Sequence, residues 1–164
     1  MKLPMQALTA GAFAPYGEVI SQPERANDAG GSGWRWWGEL VRMGGGDRPY
    51  AIGYLDLTPE PLTFNWAERH MLTDELLVPL GSDCLVYVGP PAYPDEPDRM
   101  PALDQFAVFR VPEGQAVLLK PGTWHGAPLA IDAPTKVLVI LLKNTGNQDI
   151  HVTRFEDTPV EVAR

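Results

Sequence analysis

Short apolar runs, separated at close intervals by proline and glycine, constrain the fold of this chain more than any other feature. The 164 residues include 17 prolines and 16 glycines, and both residue types favour turns and interrupt regular structure. Several of the runs alternate with a period of two, as in 106–111, and this periodicity predicts strands. We predict strands at 50–57, 62–66, 75–80, 83–89, 106–111, 115–120, 128–131, 136–142 and 149–155.

The connections between these strands are short and contain turn residues, as at 80–83 and 112–114. Connections of this length cannot hold crossover helices, so we expect mainly antiparallel sheets. Evenly spaced short strands with little helix are typical of a β-sandwich or a β-barrel. We therefore expect one domain over residues 1–164, with a short helix capped by Thr9 and an irregular, exposed loop at 90–101, where five prolines lie.

Charge and composition limit the partners that the chain can have. The formal net charge of −8 argues against nucleic acid and anionic membranes, although a local cationic pocket could still bind a small anionic substrate. The longest apolar run, 137–142, is far shorter than the roughly 18 residues of a membrane-spanning helix. Cys84 is the lone cysteine, and the N-terminus has no signal-peptide core, so we expect a cytoplasmic protein.

Three side chains that can bind a metal or transfer a proton lie within eight residues: Glu68, His70 and Glu75. In an extended strand, residues i and i+2 point to the same face, so Glu68 and His70 project together. The turn at 71–74 then leads to Glu75 at the start of the next predicted strand. Much later, a Pro-Gly turn precedes His125, and we expect all four side chains to converge on one point at the mouth of a barrel.

Each of these residues also has an ordinary structural interpretation. Separate acidic residues mostly lie on the solvated surface, because a buried unpaired carboxylate is costly, and a lone histidine is more often structural. The combined spacing with His125 favours a metal or substrate site over these alternatives. Arg69 and the turn residues at 71–74 should face outward, and we expect Arg69 to form an exterior salt bridge.

The spacing Glu68-x-His70-x₄-Glu75, followed by His125 after a Pro-Gly turn, resembles the metal motif of cupin barrels. That motif has His-x-His-x₃₋₄-Glu on one pair of strands and a single His on a later strand, and Glu68 takes the place of the first His. The resemblance implies an all-β fold, a single cupin-like (RmlC-like jelly-roll) antiparallel β-barrel with minor helical turns. It also implies that the four residues bind a divalent transition metal such as Ni, Mn, Fe or Zn.

A narrower resemblance, to the ureidoglycolate lyase family, extends over most of the chain. The segments that carry it are 13–20, 62–70, 76–90 and 122–131. The family implies cleavage of ureidoglycolate to glyoxylate and urea in purine or allantoin breakdown, a divalent metal that is often nickel, and a homodimer. The chain departs from the family pattern at Gly126, where a second histidine usually follows the Trp-His pair.

The chemistry that the family implies suggests roles for further residues. Glu75 becomes the best general base if it is not a metal ligand, and Lys120 is a second candidate catalytic residue. Lys120 or Arg35 would pair with the carboxylate of a small carboxylate substrate, and Trp124 would form a wall of the substrate site. Two alternatives remain open: another metal-dependent cupin enzyme acting on a small hydroxy or keto acid, and a non-catalytic cupin that binds a small molecule.

Overall fold

A computed structural model of the chain describes residues 1–44 and 46–164. Strands dominate these residues, and no helix among them is long and apolar enough to cross a membrane. The elements in chain order are β1 (Lys2–Ala7), α1 (Ala10–Phe13), β2 (Gly17–Ile20), β3 (Ala29–Gly31), β4 (Trp34–Trp36), β5 (Tyr50–Leu57), β6 (Thr63–Phe64), β7 (Trp66–Arg69), β8 (Glu75–Leu80), β9 (Cys84–Gly89), a 3-10 turn (Leu103–Gln105), β10 (Ala107–Val111), β11 (Ala116–Leu119), β12 (Trp124–His125), β13 (Leu129–Ala130), β14 (Thr135–Leu142), α2 (Thr145–Gln148), β15 (His151–Arg154) and β16 (Val160–Ala163).

Two sheets face each other around the main apolar core. In the nine-stranded sheet, eight strands follow the order β15-β7-β12-β9-β10-β1-β16-β6, and β13 pairs with β9 beside them. The five-stranded sheet has the order β2-β11-β8-β14-β5, and β3 and β4 form a separate hairpin. This arrangement confirms the predicted all-β, cupin-like barrel with minor helical turns.

Strand pairing is mainly antiparallel, as expected, and β1 makes the exceptions. It runs parallel to β10 on one side and to β16 on the other, whereas the remaining pairings among the described strands are antiparallel. Parallel neighbours require a long connection, and most of the chain separates β1 from these two partners.

Alternation along β9 shows that the nine-stranded sheet lies between two apolar cores. Cys84, Val86 and Val88 face the main core between the two sheets. Leu85 and Tyr87 face a second core on the opposite side. We call these two sides of the nine-stranded sheet the interior face and the outer face, and each residue of the candidate site can be assigned to one of them.

The short helix α1 begins where the sequence predicts. The Thr9 Oγ1 atom accepts a hydrogen bond from Ala12 N at 3.2 Å, which satisfies a backbone donor of the first helical turn. Phe13, at the end of the helix, is fully buried in the main core. The cap therefore fixes where the chain turns inward before β2.

Candidate metal centre

Two strands and the turn between them carry most of the candidate site. Glu68 lies in β7, His70 follows that strand directly, and Glu75 is the first residue of β8. Ala67 and Arg69 alternate with the first two and face the outer side of the nine-stranded sheet. Glu68 and His70 therefore point to the interior face together, as their i, i+2 spacing predicts.

Sheet register brings His125 to the same place. Strand β12 pairs with both β7 and β9, so His125 lies opposite Glu68 on one side and opposite Val88 on the other. Val88 faces the interior, and directly paired residues share a face, so His125 points inward beside Glu68. One ligand atom from each of Glu68, His70 and His125 lies within 4.8 Å of the other two.

Glu75 approaches the same point from the five-stranded sheet. Its Oε2 atom lies 3.0 Å from His125 Nε2 and 3.3 Å from His70 Nε2. These three side chains are almost completely buried, whereas Glu68 is half-buried. Glu75 therefore meets the two histidines, Glu68 meets them from the other side, and the cluster is most accessible at Glu68.

A backbone carbonyl holds the other ring nitrogen of each histidine. His70 Nδ1 lies 2.6 Å from the carbonyl oxygen of Asp149, and His125 Nδ1 lies 2.9 Å from that of Thr123. A carbonyl oxygen can only accept a hydrogen bond, so both Nδ1 atoms carry a hydrogen and donate it. Both Nε2 atoms then point into the cluster, where the lone pair of a neutral ring can bind a metal.

Charge pairing shifts the pKa values of Glu75 and His125 in opposite directions. Burial by itself raises the pKa of the Glu75 carboxyl, but the charge and the hydrogen bond of His125, together with those of His70, outweigh burial and hold this pKa well below its usual range. Burial likewise lowers the pKa of His125, yet the adjacent Glu75 carboxylate raises it to about 9. Glu75 is therefore a charged group that can compensate a cation at this point.

Asp149 is a residue of the site that the sequence did not reveal. Its two carboxylate oxygens accept hydrogen bonds from Met71 N and Leu72 N, each at 2.8 Å, and its carbonyl oxygen holds His70. A separation of 79 residues lies between Asp149 and His70. No local pattern links two positions so far apart, and the sequence around Asp149 predicts only a strand.

The turn between His70 and Glu75 does not face outward throughout, in contrast to our expectation. Thr73 is buried, and its Oγ1 atom accepts a hydrogen bond from Leu142 N at 3.0 Å and donates one to Asp74 O at 2.7 Å. Burying this hydroxyl is favourable because both of its hydrogen-bonding functions are satisfied. The turn is thus packed against the end of β14.

Arg69 points away from the cluster, as expected, but it is not an exterior salt-bridge residue. It is fully buried and lies 4.8 Å from the centroid of the Trp124 ring, and burial lowers its pKa. Its guanidinium instead donates hydrogen bonds to backbone carbonyls of the proline-rich loop, those of Ala92, Tyr93, Glu96 and Pro97. The loop has carbonyls free to accept them because its prolines keep it out of regular structure.

Trp124 does not line the cluster, although we expected it to contact the substrate. It precedes His125 in β12 and therefore points to the outer face, where it is fully buried in the second core. The sheet itself separates the Trp124 indole from the ligand atoms. This residue supports the strand that carries His125, and it does not reach a molecule bound at the cluster.

The structure does not bring Lys120 to Glu75. Leu119 pairs with Glu75 in register and faces the main core, whereas Lys120 is exposed and lines a cavity of about 180 Å³ together with Leu118 and Asp74. Because side chains alternate along an extended chain, Lys120 lies on the opposite side of the five-stranded sheet from Glu75. Its catalytic and substrate-binding roles stay predictions.

Arg35 lies apart from the cluster as well. It is exposed in the hairpin of β3 and β4, with its guanidinium 5.9 Å from the centroid of the Trp37 ring. The cavity that Arg35 lines, with Trp34 and Trp37, contains none of the four converging residues. Its pairing with a substrate carboxylate therefore also stays a prediction.

Comparison with known protein families agrees with the resemblance carried by the sequence. The family profile described as Ureidoglycolate lyase matches residues 1–163. The chain belongs to this family. Within the ureidoglycolate lyase family, a relative from Azotobacter vinelandii is 34% identical over 158 residues, covering 91% of this chain and 90% of its own. A relative from Chelativorans sp. is 30% identical, with 89% and 88% covered, and one from Schizosaccharomyces pombe is 26% identical, with 98% and 95% covered.

A solved structure supports the fold of this family member. The crystal structure of a dTDP sugar isomerase from Desulfovibrio desulfuricans G20 superposes with a TM-score of 0.52, covering 87% of each chain. Only 16% of the aligned residues are identical, so the likeness concerns the fold alone. It agrees with the cupin-like barrel described above.

Proposed function

We propose that this ureidoglycolate lyase family member cleaves ureidoglycolate to glyoxylate and urea, as a step of purine or allantoin breakdown. The family match over residues 1–163 supports the substrate. The observation that carries the proposal is the convergence of Glu68, His70 and His125, whose ligand atoms lie within 4.8 Å of one another. The buried lone thiol of Cys84 suits a reducing cytoplasm, where we place the enzyme.

We propose a divalent transition metal as the cofactor, because the donor set of the cluster fits such an ion. Two imidazole nitrogens and a carboxylate suit Ni, Mn, Fe or Zn, and backbone carbonyls already hold both rings with Nε2 directed inward. Glu68, His70 and His125 would hold the ion, and Glu75 would be either a fourth ligand or a base. Nickel is our first choice because of the family resemblance.

The reaction that we propose requires one proton to move and one bond to break. A single carbon of ureidoglycolate carries the carboxylate, the hydroxyl and the urea nitrogen, and a bound divalent cation supplies Lewis acidity that lowers the pKa of the hydroxyl. Glu75, whose Oε2 atom lies 3.0 Å from His125 Nε2 in the cluster, accepts the hydroxyl proton. The C–N bond then breaks as the C=O bond of glyoxylate forms, and the proton passes from Glu75 to the urea nitrogen.

The test uses the full chain, purified without chelators. We expect elemental analysis to find a divalent transition metal, and we expect glyoxylate to appear when ureidoglycolate is added. Other short 2-hydroxy acids serve as control substrates. Metal without activity on ureidoglycolate, but with turnover of another acid, would favour the alternative cupin enzyme. Absence of both metal and turnover would favour the non-catalytic binding protein.

We also propose that the chain forms a homodimer through the outward side of the five-stranded sheet. Ile52 and Tyr54 project from the edge strand β5 with 71% and 56% of their surface exposed. Leu138 and Ile140 pair with them in β14, so the apolar surface extends across neighbouring strands. A contiguous exposed apolar surface of this kind marks an interface. A second copy of the chain fits it, because a two-fold axis places the same apolar surface of each subunit in contact with the other.

A single charge tests the dimer. We expect the Ile52→Glu variant to sediment as a monomer at concentrations where the unmodified chain is a dimer, because a carboxylate would be buried without a partner. The control is Val152→Glu, which changes an exposed residue of β15 in the other sheet. A dimer that persists in Ile52→Glu would contradict the proposed interface.

A further inference from the structure

We propose that Asp149 is a positioning residue, which fixes the turn between His70 and Glu75 and thereby directs both side chains into the cluster. Two measurements test the inference. The first, metal binding, rests on the proposed function. The second, exchange of backbone hydrogens in the turn, depends only on the observed geometry. Neither measurement requires Asp149 to touch the metal or the substrate.

Asp149 reaches the turn through three hydrogen bonds. Its carboxylate accepts from Met71 N and Leu72 N, each at 2.8 Å, and its carbonyl oxygen accepts from His70 Nδ1 at 2.6 Å. The residue is 3% exposed, and its own backbone N–H donates to Thr145 O at 2.9 Å. Side chain and main chain of one buried residue thus hold consecutive positions of the turn.

The same segment of chain holds the turn at a second point. Leu142 N donates to Thr73 Oγ1 at 3.0 Å, while Leu142 O accepts from Thr145 Oγ1 at 2.6 Å. The segment 142–149, which contains α2, therefore contacts the turn at Thr73 and again, through Asp149, at the two residues that follow His70. This leaves the turn little freedom to move relative to β14.

The position of the turn matters because the two groups that it joins meet at the cluster. His70 Nε2 and Glu75 Oε2 lie 3.3 Å apart, although the turn separates the two residues in the chain. If the turn shifts, the His70 ring loses its carbonyl acceptor and Nε2 no longer points at Glu75 Oε2. Loss of groups that orient metal ligands commonly weakens metal binding by roughly 10–100-fold.

The Asp149→Asn variant tests this role with the smallest change of shape. An amide has one acceptor oxygen and one donor NH₂ group, so it must place a donor against either Met71 N or Leu72 N. The matched control is Asp83→Asn. The Asp83 carboxylate also accepts two hydrogen bonds. One comes from the backbone N–H of Glu113 at 2.9 Å and the other from the Arg110 Nε atom at 2.6 Å.

Asp83 is a suitable control because it lies at the other end of the barrel. It directly precedes β9, whose first residue Cys84 pairs with Val111, whereas His125 pairs with Val88 near the other end of that strand. Val88 is five residue steps along the extended strand from Asp83, a distance of about 16 Å. A change at Asp83 can therefore destabilise the chain without touching the turn.

Two measurements decide the inference, both on the full chain after chelator treatment. Hydrogen exchange followed by NMR should show exchange of Met71 N–H and Leu72 N–H that is at least about tenfold faster in Asp149→Asn and unchanged in Asp83→Asn. Calorimetric titration with Ni²⁺ alone should show binding about 10–100-fold weaker in Asp149→Asn and unchanged in Asp83→Asn. If Asp149→Asn does not fold, Asp149→Ser, which keeps one acceptor, is measured in the same way.

The outcomes separate this inference from the proposed function. Unchanged exchange at the turn in the Asp149 variant overturns the inference, and so does a loss of Ni²⁺ affinity that Asp83→Asn shares in full. If the unmodified chain binds no Ni²⁺, the proposed nickel site fails, and the exchange measurement alone decides the role of Asp149. If the unmodified chain binds Ni²⁺ and cleaves ureidoglycolate, but Asp149→Asn binds Ni²⁺ equally well, only the inference about Asp149 is overturned.

Discussion

Arg69 and Trp124 stack on the outer face of the nine-stranded sheet, with the guanidinium carbon 4.8 Å from the centroid of the indole ring. Each is a chain neighbour of the converging residues, because Arg69 lies between Glu68 and His70, and Trp124 precedes His125. Cation–π contacts of this kind are favourable, the more so when they are buried. The stack therefore links β7 and β12, the two strands of the site, on the face of the sheet opposite the cluster.

Replacing Arg69 with lysine should lower the free energy of unfolding by about 2–4 kcal/mol. A lysine ammonium group cannot reproduce the four hydrogen bonds of the planar guanidinium, so buried carbonyls would be left unsatisfied. Urea unfolding measures this change. The control is Arg99→Lys, an exposed arginine whose ion pair with Glu96 is screened by solvent and should contribute little to stability. Equal effects of the two variants would show that the buried position of Arg69 has no special importance.

Replacing His125 with alanine should abolish both the retained metal and ureidoglycolate cleavage, since loss of a ligand costs more than the roughly 10–100-fold that follows loss of an orienting group. Elemental analysis and a glyoxylate assay measure the two effects. The control is His151→Ala, because His151 lies in β15 and contacts the exposed Asp98 instead of the cluster. Retention of metal and activity by His125→Ala would remove the main support for the shared site.

The chelator-treated chain should lose stability as the pH rises through about 9. Contact with Glu75 raises the pKa of His125 to about 9, against about 6.5 in an unfolded chain. The folded chain therefore holds this proton more tightly, so the stabilisation is complete below about pH 6.5 and disappears as His125 loses its proton. Urea unfolding with chelator at several pH values measures the decline. Glu75→Gln should flatten the curve, and an equally steep decline in that variant would refute the assignment.

Replacing Gly126 with alanine should destabilise the chain by about 1–3 kcal/mol, because a Cβ atom there would lie 1.7 Å from the Tyr87 hydroxyl oxygen. The tyrosine cannot easily move, since its ring stacks on Phe64 at 3.9 Å and its hydroxyl donates to Trp66 O at 3.1 Å. A larger side chain at position 126 would meet the same hydroxyl. Thermal unfolding measures the change.

The matched control is Gly146→Ala in α2, where, beyond the helix's own backbone and the chain neighbours, no atom of the described residues lies within 4 Å of the added Cβ. This helical substitution should be neutral or stabilising by up to about 1 kcal/mol. If Gly126→Ala is as stable as Gly146→Ala, then Tyr87 moves more readily than its contacts indicate.

Local patterns predicted the strands well where turn residues and alternation coincide. The predicted ranges 50–57 and 75–80 agree with β5 and β8 residue by residue. Strands β1 and β16 were not predicted. Pro4 makes the run in β1 a poor candidate for a strand, and both strands are defined by pairing with distant parts of the chain rather than by their own sequence.

The difference between local patterns and pairing with distant segments also explains which parts of the site could be predicted. Glu68 and His70 share a face because of local strand geometry, so their spacing in the sequence sufficed to predict it. The buried environment of Arg69 and the contacts of Asp149 with the turn depend on segments that are 23 or more residues away. Arginine and aspartate are ordinarily surface residues, and only the packed loop and turn show why these two are buried.

The parallel pairing of β1 with β16 determines the order in which the chain can fold. Lys2 and Leu3 lie opposite Glu161 and Val162, so each of these residues pairs with one that is synthesised some 160 positions later. Until that segment emerges, one side of β1 presents unpaired backbone groups that another chain could bind. Pairing over such a separation is also slow. The nine-stranded sheet therefore cannot close until β16 has been synthesised, and until then the free side of β1 is open to other chains.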